Sequence, residues 1–369
     1  MTDAATLPSS YLRLLAMAAS SPDDDGRWWF GEAGFFVPGT AEAGRHWVEL
    51  LSERRWPSMH VDLLPIAVDG SGNRYCFVRS EQPGMPGEAV VCWMYETYRA
   101  VPISATFDGF IDWLVLGAVA AARRGDVPSL DRVHLETRVL PASERLGRPS
   151  DLVDAFSTTR PGTLDIAEAM LQRHPDAPGA GAVLAARHLE EGRRDLAARE
   201  ARVATRVFPE FAAAWLLAAQ GDPPASHARF RALWQALHQP LLYGGDPWMP
   251  NLDRVPEVRP DQLAESLATH PWASEVSAWD PVWDLVLSED PLAAPAWLRV
   301  AVDLANEGAL QDATLAGANA LWLGADVEER AGAMDLLGEI YGALGHTWHA
   351  SMCVLDRTLR ERAERRRER

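Results

Sequence analysis

Residues 21 to 32, Ser-Pro-Asp-Asp-Asp-Gly-Arg-Trp-Trp-Phe-Gly-Glu, carry the spacing of a calcium loop. Ser21, Asp23, Asp25 and Glu32 would supply oxygen ligands, and Gly26 the sharp turn. Yet Ser stands first where the pattern wants Asp, and Ala33 to Pro38 looks extended instead of helical. The stretch therefore reads as an acidic turn leaving a helix. Asp69-Gly70-Ser71-Gly72-Asn73 is Gly-rich, as phosphate cradles are, but no helix follows it to aim amides at an anion. It reads as a hairpin turn, in which Gly and Asn supply positive φ at little cost. His60 and Asp62 would share one face of a strand, and His346 and His349 are three apart on a helix. Neither pair has the further convergent ligands that a metal site needs. Ser71 lacks the Gly-x-Ser-x-Gly elbow of a hydrolase. A hydrolase would have to use dispersed acids such as Asp62, Asp69 and Glu96, whose spacing supports none. The chain contains no Lys. That removes a P-loop lysine, a Schiff-base lysine and a kinase-type lysine together. No catalytic residue, metal or cofactor is expected, and the chain is expected not to be an enzyme.

Composition bounds the partners. The chain has 369 residues and a formal net charge of −17. Two domains are expected at this length. An acidic surface repels nucleic acid and steers toward basic partners. Cys76, Cys92 and Cys353 are few, odd in number and scattered, which fits reduced thiols and a cytoplasmic location. No basic-then-apolar leader is visible. The longest apolar run, Trp113 to Ala122, ends at Arg123-Arg124 and is too short to span a membrane.

The elements that must position any site begin with a short helix. Leu7-Pro8-Ser9-Ser10 reads as its entry, and Tyr11, Leu12, Leu14 and Leu15 as its apolar face. A polar turn (20–26), a strand at Gly34-Phe35-Phe36-Val37 and a second helical face at Trp47, Leu50 and Leu51 follow. Three apolar runs, Leu64 to Val68, Tyr75 to Val78 and Ala89 to Met94, read as strands bounded by turn residues. Phe107, Phe110, Ile111 and Leu114 then fall on one face of a closing helix.

The hairpin from Asp69 to Val78 and the closing Phe-x-x-Phe-Ile-x-x-Leu helix resemble the SUKH superfamily. That group of SMI1/KNR4-like proteins includes the yeast cell-wall assembly regulator and many bacterial toxin-immunity proteins. The residues carrying the likeness are Asp69, Gly70, Gly72, Asn73, Tyr75, Trp93, Phe107, Phe110 and Leu114. The resemblance implies an α+β domain at residues 1–125, a mixed sheet with flanking helices. Tyr75, Trp93, Phe107 and Phe110 would share its interior. It also implies a sheet face and flanking loops that grip a protein partner, often a toxin domain that is thereby blocked. Candidate contacts are Glu81, Glu88, Tyr95, Glu96 and Tyr98, and a basic toxin domain would suit an acidic binder. A regulatory scaffold for endogenous proteins is the alternative. Neither membrane nor nucleic acid is an expected partner.

Residues 126–163 read as a connecting segment, with a strand at Val133 to Leu140 and a linker at Pro141 to Pro149. From residue 164 the chain turns Ala-rich and helical. Pro175 and Pro209 lie one tetratricopeptide period of 34 residues apart. Leu184, Ala185, Gly192, Ala197 and Ala204 fall at the large, small and turn positions of such a repeat. Trp297, Ala301, Gly308, Ala313 and Ala320 form a second copy, and Leu337, Gly338, Tyr341, Gly345 and Ala350 a third. The segment resembles a divergent tetratricopeptide array, interrupted at 240–291 by a stretch rich in Pro and Trp. Short helices packed across the array are expected there. The Arg-dense end from Asp356 to Arg369 reads as a solvated, fraying helix terminus.

Overall fold

The computed structural model describes residues 8–19, 27–36, 63–78, 88–125, 132–148, 150–156, 158, 160–245, 258–275, 280–288, 290–324 and 327–367. Its N-terminal part is built on a six-stranded antiparallel sheet in simple sequence order. The strands are β1 (Arg27–Phe30), β2 (Ala33–Phe36), β3 (Leu63–Val68), β4 (Arg74–Val78), β5 (Val90–Trp93) and β6 (Ala100–Ser104). Strands β1 and β6 were not foreseen. The spacing of residues 21–32 puts Arg27–Phe30 in an acidic turn, but its alternating burial is that of a hairpin strand facing β2. In β6 every residue is buried, so no alternation marks it. Pro65 sits within central β3 because the register shifts beside it, between Pro65 and Ala67.

Helix α1 (Ser9–Ala19) and helix α2 (Phe107–Arg124) lie against one face of this sheet. Thr106 caps α2 by accepting a hydrogen bond from Gly109 N at 3.1 Å. Gly125, at φ +69, ends it and donates to Ala121 O. The interior between sheet and helices is aromatic. Tyr75 meets Phe110 at 5.0 Å, Phe107 meets Phe77 at 5.6 Å, and Tyr11 meets both Phe77 and Phe107 at 5.2 Å. Trp93 is buried but does not join them. Cys92 is the partner of Tyr75 across the ladder, so the next residue, Trp93, points to the opposite face. There it pairs with Arg74 and stacks near Tyr98.

The connecting segment is helical, not extended. Arg132–His134, Leu135–Val139 and Leu140–Arg145 form one run, α3, with a π turn in its middle. The alternation of Val133 to Leu140 misled because a π turn shifts the helical period. Pro141 stands in the first turn of the last part, where its missing N–H is harmless. A 3₁₀ turn follows at Ser150–Asp154. Arg123 donates to Val153 O, Phe156 O and Thr158 O, and Arg124 to Pro161 O. These bonds pin the segment to the end of α2.

The remainder is all helical: α4 (Thr163–Arg173), α5 (Pro178–Glu190), α6 (Arg194–Val207), α7 (Ala212–Gly221) and α8 (His227–Leu237) come first. After a 3₁₀ turn at Leu241–Tyr243 come α9 (Pro260–Ala268), α10 (Pro281–Ser288), α11 (Ala294–Asn306), α12 (Leu310–Leu323), α13 (Val327–Ala343) and α14 (Thr347–Arg367). The pairs α5/α6, α11/α12 and α13/α14 each turn on a glycine with positive φ: Gly192 (+75), Gly308 (+81) and Gly345 (+77). Buried Ala185, Ala197, Ala201 and Ala204 let α5 and α6 approach closely. Among the described residues, the helices of the interrupted stretch are short, nine residues in α9 and eight in α10. Its Trp283 packs on Trp234 at 5.7 Å, and Trp272 on His227 at 4.9 Å. Both partners are on α8. Trp248 and Trp279 lie outside the described residues.

Candidate interaction surface

In a meander, alternate turns fall at the same end of the sheet. Three of them gather here: Gly31-Glu32, Asp69 to Asn73 and Met94 to Arg99, beside the C-terminal end of α2. Each has a local cause. In the second, the Asp69 carboxylate accepts hydrogen bonds from Ser71 N (2.8 Å), Asn73 N (2.9 Å) and Asn73 Nδ2 (2.8 Å). Gly72 takes φ +92, which explains its place in the turn. Buried Asn73 then turns its Oδ1 toward the third turn and accepts from Tyr95 N at 3.1 Å. The third turn is closed by Met94 N donating to Arg99 O at 2.7 Å and Tyr98 N to Met94 O at 2.9 Å.

Half-buried Glu32 joins the rim to the core, accepting a hydrogen bond from Tyr75 Oη at 2.8 Å. Burial pushes its carboxyl above the usual range; the Tyr75 bond opposes this, and nearby Asp69 adds to it. Arg124 pulls slightly the other way. The Tyr75 phenol is raised well above its ordinary value, by burial first and then by Glu32. The three turns thus carry Glu32, Asp69 and Glu96, and on the third of them Tyr95 is 38% exposed. Tyr95 is an exposed aromatic on a backbone held in place by Asn73.

The expected contacts divide in space. Tyr95 and Glu96 are exposed together on the rim. Glu88 is exposed just before β5, at the far end of the sheet, and cannot share their surface. Glu81 lies outside the described residues. Tyr98 is half-buried: its ring packs on Trp93 at 5.9 Å and its carbonyl accepts from Trp322 Nε1 at 3.0 Å. It is a junction residue. The expected gripping face of the sheet is corrected too, because every residue of β3, β5 and β6 is buried. Only turns and ends of that part are accessible. Glu32, Arg99 and Arg124 were not anticipated. The Gly31-Glu32 turn was hidden by the calcium-loop spacing, and nothing around Arg99 in the sequence signals burial.

Two junctions tie the sheet domain to the helices. At one, Arg99 is only 5% exposed. Its guanidinium donates to Gly245 O and Val258 O and lies 4.9 Å from the Trp322 ring centroid. At the other, Arg148 binds Asp112 of α2 through Nε–Oδ1 and Nη2–Oδ2, both 2.7 Å, and Asp108 at 2.8 Å. His174, at the end of α4, bonds the same Asp112 Oδ2 at 2.8 Å. Burial alone would raise the Asp112 carboxyl, but hydrogen bonds from His174 and Arg148 hold it below its usual value. The Asp–His pair has the composition of a catalytic dyad. However, both carboxylate oxygens are engaged by Arg148 and Asp112 is fully buried, so the group clamps three segments together.

Among the described residues no group of three or more His, Cys, Asp or Glu is placed to hold a metal ion. Buried His349 packs on Tyr341 at 4.8 Å, with His346 beside it. His60, Asp62 and Ser21 to Gly26 lie outside the described residues. All three cysteines are buried thiols outside any disulfide. Cys76 and Cys92 point to opposite faces of the sheet, since Tyr75 is the residue opposite Cys92. No helix among the described residues is long and apolar enough to cross a membrane.

Residues 4–113 match the model of the SMI1 / KNR4 family (SUKH-1). The match spans all six strands and the first turns of α2, so the N-terminal α+β region is a SUKH domain. No curated protein matches the chain.

Proposed function

We propose that this chain is a non-enzymatic protein-binding module of the SUKH immunity type, which binds and neutralises a basic toxin domain. The observation that carries the reading is the rim, where exposed Tyr95 and Glu96 stand on a turn bonded to the Asp69–Asn73 hairpin. A pinned aromatic loses little freedom on binding, and acids around it complement a cation-rich partner. The net charge of −17 speeds encounter with such a partner. Buried thiols outside any disulfide suit a reducing cytoplasm.

A second reading has its own support. The helix pairs turning on Gly192, Gly308 and Gly345 are what a tetratricopeptide-like array would show. Such an array presents a further peptide-binding surface, as a scaffold for endogenous proteins would need. Copurification of the full chain from its native cell, with wild type beside Tyr95→Ala/Glu96→Arg, separates the cases. A basic toxin encoded by a neighbouring gene, retained by wild type and lost with the variant, supports immunity. Endogenous partners retained equally by both support the scaffold. A robust turnover rate with any substrate would end both readings.

A further inference from the structure

We propose that the helical array holds the recognition turn Met94–Arg99 in its binding shape, so that whatever moves α12 or the 241–245 strap alters what Tyr95 and Glu96 present. This rests on the rim being the partner surface. Among the described residues Tyr98 is the one non-glycine with positive φ, at +58. A side chain in this left-handed region is disfavoured and persists where surroundings over-determine it. The sheet supplies Trp93 against the ring, and the array supplies the rest of the hold described next. Trp322 of α12 donates its indole N–H to Tyr98 O at 3.0 Å. The next residue, Arg99, leaves the turn and enters the array side. Its planar fork bonds the carbonyls of Gly245 and Val258 and stacks on that same Trp322. The strap is itself fixed to α12, since Leu241 N donates to Asn319 Oδ1 at 2.8 Å. Gly244 is shaped to the guanidinium: a Cβ there would stand 2.3 Å from Arg99 Nη1. Tyr95, three residues before the strained position, is thus held from the sheet side by Asn73 and, through Tyr98 and Arg99, from the array side.

Two variants act from the array and leave every residue of the turn unchanged. Trp322→Phe keeps the ring and removes the N–H donor. Gly244→Ala displaces the guanidinium. Hydrogen exchange of the full chain reads the turn directly and needs no partner. Both variants are expected to raise exchange at the Tyr95 and Tyr98 amides by roughly tenfold, the effect of losing a hydrogen bond that restrains a turn, while β4 and β5 amides stay protected. Adding Tyr98→Gly to Trp322→Phe should recover part of the protection, because glycine takes positive φ unaided. Unchanged exchange at 94–99 in both variants, with the melting transition intact, overturns the proposal. Binding of a fluorescent oligo-arginine peptide separates this from the functional reading. If Tyr95→Ala/Glu96→Ala weakens binding and the array variants do not, array control is refuted and the rim stands. If exchange rises but no variant alters binding, the turn is array-held and the rim is not the partner surface.

Discussion

Two helix pairs of the array, α5/α6 and α11/α12, turn on equivalent glycines, Gly192 and Gly308, yet their first helices carry opposite faces. In α11 the position eleven residues before the turn glycine is Trp297, fully buried, with its indole N–H on Pro291 O at 2.9 Å. Trp215 of α7 makes the same bond to Pro209 O at 2.8 Å. In α5 the matching residue is Gly181, with Gly179 two places before it. A Cβ on Gly179 would lie 2.4 Å from Pro102 O. The difference follows from what each helix packs against. Helix α11 meets other helices and fills the space between them with an indole. Helix α5 lies against β6, the edge strand of the SUKH domain, and must approach backbone with backbone. Docking also covers an edge that would otherwise be open to strand pairing.

The comparison is broken most severely at Trp297. Truncation to Ala is expected to cost about 3–5 kcal/mol, read from denaturant midpoints, whereas Trp215→Ala, at a half-buried site, should cost clearly less. Equal losses would mean that the indoles of the two helices do not differ in packing. Next in size is Asp112→Asn, which takes the buried carboxylate away from half-buried Arg148 and His174. About 2–4 kcal/mol is expected, somewhat below a fully buried pair because Asp108 still reaches Arg148. The wild-type contribution has a defined pH sign. The Asp112 carboxyl is depressed in the folded state. Its stabilisation is therefore present above the unfolded carboxylate range, about pH 4, and is lost as pH falls through the folded value. Exchange protection of α4 and α5 should drop in that acid window before that of α11 and α12. Loss in the reverse order would place the clamp elsewhere.

These junctions show what could be read from residues and what could not. The SUKH sheet was legible where alternation and turn residues coincide, from Leu64 through Met94, and the three turn glycines of the array were legible from spacing. Strand β6 was not, because α5 covers it and its fully buried run AVPIS has no polar side to alternate with. The π turn in α3 broke the 3.6-residue period that would have marked a helix. Of the expected contacts, Tyr95 and Glu96 share one exposed turn, whereas Glu88 belongs to the other end of β5 and Tyr98 to the domain junction. Placement of a turn residue depends on which turns the meander brings to one end, and on the left-handed Tyr98. Neither is written in local sequence. Arg99 has an ordinary surface residue's type and a core residue's burial, which only the distant carbonyls of Gly245 and Val258 explain.

The finest distinction lies within α5 itself, two residues apart. Gly179→Ala places a methyl 2.4 Å from a backbone carbonyl oxygen in a ladder that cannot yield without moving β6. A loss of about 2–3 kcal/mol is expected, in the range of overpacking. Gly181→Ala meets its nearest atom, Glu200 O, at 3.5 Å, an ordinary contact. Replacing a helix-interior glycine there should gain up to about 1 kcal/mol from helix propensity alone. The two substitutions are chemically identical, and both positions are buried in the same helix. Their opposite signs would therefore isolate the seat on β6 from any general effect of adding a methyl group to α5. If both variants lost stability alike in urea titration, closeness of α5 to α6, and not docking on the sheet, would be the reason α5 carries glycine where α11 carries tryptophan.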